Sequence, residues 1–309
     1  MTQSLEDVCR AACLAIGVDY KAVPENGQFH TTDLSNDHKG KNDARIKLFP
    51  DRQGGIVWNH KTGEKQTFFI NREPGQPVPP IDRKRIEREQ VKRKAEEAAK
   101  HNKAARKAQA IWQAATPAPI DHPYLIRKQV KPHALGCGQW QRVITADDGQ
   151  RKTLTIDNAL LLPLFNESGE IHSLQAIFPA KHPILARDKD FLPSGGLAGL
   201  FWWIGAKTDT VLICEGFATA ATLHEETGHR VYLAFTANNL LAVGRIVRQK
   251  LPEAEIIFCA DNDTQTPGNP GLTKAEEAAI EVDGSVAVPP IQGDFNDYQI
   301  LLNGNTDDQ

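Results

Sequence analysis

Between residues 211 and 290 short apolar runs alternate with helix-like segments, and that alternation restricts the fold more than any other feature of the sequence. VLICEG, VYLAFT, EIIFCADND and GSVAVPP read as strands, and FATAATLHEETG, NLLAVGRIVRQKLP and LTKAEEAAIEV read as the helices between them. Strands that are apolar throughout must be covered on both faces, so the pattern predicts a parallel α/β sheet flanked by helices. In such a sheet, functional groups gather beyond the carboxyl ends of the strands. Acidic residues stand at those ends here. Glu215 follows VLIC directly and is followed by Gly216, which suits a sharp turn into the next helix. Asp261 and Asp263 follow EIIFCA, and Asp294 and Asp297, within GDFNDY, follow VAVPP.

One Asp after a strand is usually a helix cap or a turn residue. An ordered set, Glu-Gly after one strand and Asp-x-Asp after another, points instead to a cation site. Carboxylates packed in a low-dielectric cleft repel by several kcal/mol unless a divalent ion neutralises them. Oxygen-only donors select a hard ion, Mg²⁺ or Mn²⁺, and Mg²⁺ commonly works on phosphates.

Upstream, residues 120–206 open with a helical element, HPYLIRKQV, followed by strands ALLLPLF and HSLQAIFP around the turn NESGE. Residues 1–22 read as an amphipathic helix with Leu5, Val8, Cys9, Ala12, Cys13 and Ile16 on one side, the two cysteines serving as small core residues. Residues 28–72 are β-like and carry Lys41, Arg45, Lys47, Trp58 and Lys61 among their basic and aromatic residues. That mixture suits single-stranded nucleic acid, and it suits equally a small sheet with one wet face. PGQPVPP at 74–80 is a stiff linker. Residues 81–115 lack Gly and Pro and read as one long charged helix. Its apolar positions are mostly alanine, so it is expected to bury little and to lie on the surface or bridge two units. The expected division is a small α+β unit at 1–80, a basic helical linker at 81–119, a lobe at 120–206 and the parallel-sheet domain at 207–309.

Charge is segregated along the chain although the net is only −3. Residues 83–107 hold eleven Lys or Arg against four Glu, whereas 251–309 hold twelve Asp or Glu against the single Lys274. Such a split assigns two electrostatic jobs to two regions. The five cysteines form no CxxC pair, which excludes a zinc ribbon and argues against a disulfide framework. No apolar run is long enough to span a membrane, and Glu6, Asp7 and Arg10 interrupt any signal-peptide core. The cytoplasm is the expected compartment.

ICEGFATAATLHEETG, followed some forty residues later by FCADND, resembles the two signature motifs of the Toprim domain. NALLLPLFNESGEIHSLQAIFP and RDKDFLPSGGLAGLFWWIG resemble the lobe that precedes Toprim in DnaG-type primases, and GDFNDY resembles their late acidic motif. The resemblance is to the primase branch carried by phages, plasmids and mobile elements, and covers about residues 120–300. It implies a Toprim sheet preceded by a smaller α+β primase lobe. It also implies a nucleotidyltransferase that makes short primers from nucleoside triphosphates on single-stranded DNA, with Mg²⁺ or Mn²⁺ as cofactor. By position, Glu215 would be a metal ligand or general acid–base group, Asp261 and Asp263 would hold the ions, and Asp294 and Asp297 would support them. The family places a lysine where this chain has Asp190, and the neighbouring Arg187 and Lys189 are the basic substitutes. With Gly216 and Lys274 they would form the nucleotide and template side. A replicative helicase is a further implied partner. Two alternatives stay open: a Toprim nuclease or phosphotransferase with the same carboxylates, and a degenerate DNA-binding replication adaptor.

Overall fold

A computed structural model describes residues 4–36, 42–70, 83–146, 149–266 and 268–306. The chain divides into two compact units, Met1–Ala95 and Glu96–Gln309.

The first unit opens with helix α1 (Leu5–Ala15), started by Ser4 and Asp7, which cap each other's backbone reciprocally. Strands β1 (His30–Thr32), β2 (Ala44–Leu48), β3 (Gly54–Asn59) and β4 (Lys65–Phe69) follow as an antiparallel sheet in sequence order. Alternation along β2 sends Ala44, Ile46 and Leu48 inward, where they meet Val57, Phe68 and the buried Cys9, Ala12 and Cys13 of α1. Both cysteines are therefore core residues.

Helix α2 (Arg83–Gln113) runs unbroken, as the absence of Gly and Pro predicts. From Glu96 onward it belongs to the second unit. Here the structure differs from the sequence expectation. Ala104 and Ala108 are buried, and with Ile111 and Trp112 they pack on Trp140, Leu161, Leu174 and Phe178. Alanine is small enough to bring the helix backbone close to a sheet, so a stripe with little apolar area of its own still closes a core over larger neighbours.

The sheet beneath it comprises β5 (Thr116–Pro117), β6 (Gly136–Thr145), β7 (Arg151–Phe165), β8 (Ile171–His182) and β9 (Arg187–Phe191), antiparallel and in sequence order, with α3 (Pro123–Lys128) between β5 and β6. A third sheet follows, built from β10 (Trp202–Ile204), β11 (Thr210–Cys214), β12 (Arg230–Leu233), β13 (Glu255–Cys259) and β14 (Ser285–Ala287). Its helices are α4 (Phe217–Thr227), α5 (Leu240–Lys250), α6 (Pro270–Val282) and α7 (Phe295–Thr306). The strand order is β10-β12-β11-β13-β14, parallel except for the β10–β12 pair. One continuous core joins Leu160, Leu162, Leu164 and Ile177 of the antiparallel sheet to Leu212, Phe217 and Leu233 of the parallel one. The second face of the parallel sheet packs Val211, Ile213, Ile256 and Phe258 under α5 and α6. Among the described residues no helix is long and apolar enough to cross a membrane.

Candidate active site

β11, β13 and β14 are neighbours in the parallel sheet, so the segments leaving their carboxyl ends converge. Glu215 is the first residue beyond β11, and Asp261 follows β13 by one residue. β14 ends at Ala287, well before Asp294. What brings Asp294 back is Asn262, whose backbone N–H and C=O both pair with Gly293 at 2.8 and 3.0 Å. Its side-chain amide also donates to the carbonyl oxygens of Pro289 and Ile291. Asn262 occupies the middle of the Asp-x-Asp motif, a position the motif leaves unspecified.

Burial pushes the Asp261 carboxyl up to about 7, and the charges of Glu215, Asp294 and Asp297 add to that, while the Lys189 ammonium opposes it. Its Oδ1 is buried and has no hydrogen-bond partner. Burial also raises Glu215, against a hydrogen bond from the backbone of Ala237. The start of α6 closes in from the side: a Cβ on Gly271 would lie 3.2 Å from Glu215 Oε1 and 3.2 Å from the Asp261 carbonyl oxygen. A Cβ there would be a tight fit that obliges these oxygens to give by a few tenths of an ångström. Nothing in the sequence singled out Gly271.

Asp294 and Asp297 also have a local job. Asp294 Oδ1 accepts the Asp297 N–H at 2.9 Å and Asp297 Oδ2 accepts the Asp294 N–H at 3.3 Å, a reciprocal cap at the start of α7. Asp297 Oδ1 further accepts the Lys128 ammonium at 2.9 Å. Lys128, at the end of α3, is a basic group at the cluster that the sequence reading missed, because its partner lies 169 residues away. Asp263 stands differently. Its carboxylate accepts from the Thr266 hydroxyl, and its N–H donates to Asn269 Oδ1 at 3.0 Å.

The basic candidates separate in the same way. On β9, Ile177 pairs with Lys189 and Ala176 with Asp190. Ile177 belongs to the core shared with the parallel sheet and Ala176 to the core under α2. Lys189 therefore lies on the carboxylate side. Arg187 Nη2 is 2.8 Å from Asp190 Oδ1. Lys274 is paired with Glu277 at 2.5 Å on α6. Gly216 caps α4 at φ −107°, a conformation open to any residue, so the expected need for glycine at this turn does not hold.

In the first unit, Arg45, Lys47 and Trp58 sit on strands whose inward neighbours form the core. Lys61 lies 3.7 Å from Asp43. Lys41 lies outside the described residues.

Among the described residues no three His, Cys, Asp or Glu side chains stand in ready ligand geometry. The case for a cation rests on donor chemistry. Glu215 and Asp261 offer oxygen only, and an orphaned buried carboxylate oxygen is a group that a hard divalent ion satisfies.

The Toprim domain family matches residues 210–302. A DNA primase TraC of Escherichia coli is 27% identical over 286 residues, covering 88% of this chain and 25% of the relative. A second Escherichia coli TraC is 28% identical over 296 residues, covering 92% and 19%. The chain thus spans a quarter or less of the curated relatives it matches. Among solved structures, the DnaG primase catalytic domain bound to ssDNA aligns at 12% identity over 68% of this chain and 77% of that one, with a TM-score of 0.46. The primase fragment of the bacteriophage T7 primase-helicase protein aligns at 16% identity over 90% and 96%, with a TM-score of 0.40. Residues 210–302 are a Toprim domain, set in a chain that resembles DNA primases along most of its length.

Proposed function

We propose that the protein is a cytoplasmic DNA primase of a mobile element, joining nucleoside triphosphates into short primers on single-stranded DNA. The observation that carries the reading is Asp261: a half-buried carboxylate with one buried, unpartnered oxygen, beside Glu215, Asp294 and Asp297, faced by Lys189. Glu215 and Asp261 would hold Mg²⁺ or Mn²⁺, with Asp294 and Asp297 at the rim and Asp263 recruited from its loop. When bound, such an ion offsets the charge of the reacting phosphates and favours attack by a 3′-hydroxyl.

The chain's own residues contribute position and charge. Lys189, placed by the register of β9, would meet the triphosphate opposite the carboxylates. Lys128 holds Asp297 and thereby the start of α7. Burial and the neighbouring carboxylates raise the Asp261 carboxyl toward neutral pH, and a bound cation would favour its ionised form. A replicative helicase fits this reading as a partner at a replication start.

The test incubates the protein with unlabelled single-stranded DNA, labelled ribonucleotides and Mg²⁺ or Mn²⁺. Short labelled products are expected from wild type and none from Asp261→Asn. Cleavage of end-labelled DNA with no nucleotide incorporation would overturn synthesis in favour of a nuclease.

A further inference from the structure

Helix α1 covers one face of the N-terminal sheet, and the other face has a composition of its own. The outward positions of β2, β3 and β4 are Arg45 and Lys47, Ile56 and Trp58, and Lys65, Thr67 and Phe69. Three are cations, two are aromatic and none is a carboxylate. An ordinary wet sheet face mixes both signs of charge.

Register arranges these residues in rows. Trp58 lies directly opposite Arg45 on one side and Lys65 on the other. The Lys65 ammonium sits over the indole at 4.3 Å from its centroid, and the His60 ring stacks on it at 4.0 Å. Phe29 meets Trp58 edge-on at 6.0 Å and lies under the Lys47 ammonium at 5.4 Å. At the far end of β3, Gly54 pairs with Phe69, which is 61% exposed and contacts Phe49 at 6.0 Å. Trp58 and Gly54 are four residues apart, roughly 14 Å along a strand. The face thus offers two aromatic stations with cations between and around them.

We infer that this face binds single-stranded nucleic acid, bases stacking on the Trp58 and Phe69 stations and phosphates pairing with Arg45, Lys47 and Lys65. The Phe69 ring is exposed, and at Trp58 a base would take the place of the His60 ring or the Lys65 ammonium that now lies on the indole. An unstacked base can make such a contact because every base has a π-face. A duplex would offer phosphates alone and leave the aromatics exposed. A protein partner with an apolar patch would have to desolvate three cations without compensation. The surface recognises strandedness rather than sequence. It deepens the primase reading by naming where template is held, and it is tested by binding alone.

The whole chain is titrated into fluorescein-labelled oligothymidylate, without nucleotide or divalent ion, and anisotropy is followed. Trp58→Ala is expected to weaken binding roughly five- to hundredfold, the range for loss of one base–aromatic stack. Trp58→Phe should retain most of the affinity, separating stacking from misfolding. The Lys47→Ala, Lys65→Ala pair should make the slope of log K against log salt shallower by about 1.4. Unlabelled duplex of equal length should compete poorly. Wild-type affinity in both Trp58→Ala and the lysine pair, or equal competition by duplex, overturns the inference. The two readings fail separately. A wild-type protein that makes no primers in the synthesis assay removes the primase assignment and leaves this surface standing.

Discussion

The indole N–H of Trp140 donates to a carboxylate oxygen of Asp190 at 3.0 Å, in a core where Asp190 is only 4% exposed. Arg187 at 2.8 Å and Arg142 at 3.5 Å complete its surroundings. Consecutive residues of a strand point to opposite faces. Anchoring Asp190 toward Trp140 therefore commits Lys189 to the other side, where its charge reaches Asp261. Asp190 is thus the anchor that aims the neighbouring lysine.

Asp190→Ala should accordingly destabilise the second unit. It leaves a buried indole N–H without a partner, which costs about 1–3 kcal/mol. Asp190→Lys should cost more, since it buries an ammonium beside two guanidinium groups. Urea denaturation followed by fluorescence measures both. A lysine variant as stable as wild type would show that Asp190 anchors nothing.

Asp261 makes stability depend on pH in a definite direction. Its carboxyl is pushed up to about 7 in the folded protein, against about 3.9 in an unfolded chain. The folded state then binds the proton more tightly, so metal-free stability falls as pH rises from about 4 through 7 and levels off above that. Each tenfold difference in proton affinity between the two states is worth about 1.4 kcal/mol, so the whole effect is a few kcal/mol at most. Asp261→Asn should flatten the fall. Melting curves across that range, in chelator, decide it; a fall of unchanged depth in the variant would place its source elsewhere.

Much of this was legible in sequence because it is periodic. The apolar runs around VLIC and EIIFC marked the strands, and the acids at their ends marked Glu215 and Asp261. The order of the strands, with β10 antiparallel at the edge, came only from the structure. What could not be read depends on contacts between distant segments. Lys128 reaches Asp297 only because α3 and α7 pack together, and Asn262 matters only through its pairing with Gly293. Ala104 and Ala108 looked too small to make a core because the larger side chains they cover, Trp140 and Leu161, come from β6 and β7. Asp263, by motif the twin of Asp261, is turned into its own loop by Thr266 and Asn269, short-range bonds that the spacing does not announce.

That difference separates two variants in cation binding. An ion that binds only the folded state stabilises by about 2.7 kcal/mol at a hundredfold excess over Kd. Asp261→Ala should lose most of the melting-temperature rise given by Mn²⁺ and gain stability without it, because carboxylate repulsion is relieved. Asp263→Ala should lower the metal-free melting temperature by releasing the loop at 263–269, and reduce the Mn²⁺ response less. Equal responses in wild type and Asp261→Ala would assign the effect to nonspecific binding on the acidic C-terminal region.

Arg187 and Lys189 are two residues apart, yet their substitution should have opposite signatures. The Arg187 guanidinium is engaged with Asp190, so Arg187→Ala should lower the urea midpoint while KM for nucleotide changes little. Lys189 shares a face with the carboxylates and has no comparable anchor role. Lys189→Ala should leave the midpoint near wild type and raise KM, by up to about tenfold if it removes one charge-assisted contact of roughly 1.4 kcal/mol. Because its ammonium opposes the upward push on Asp261, removing it should also move the acid limb of the pH–rate profile to higher pH. Steady-state synthesis on saturating template, measured for both variants from pH 5.5 to 8.5, separates the roles. A raised KM in Arg187→Ala with none in Lys189→Ala would reverse the assignment and put the arginine at the phosphate.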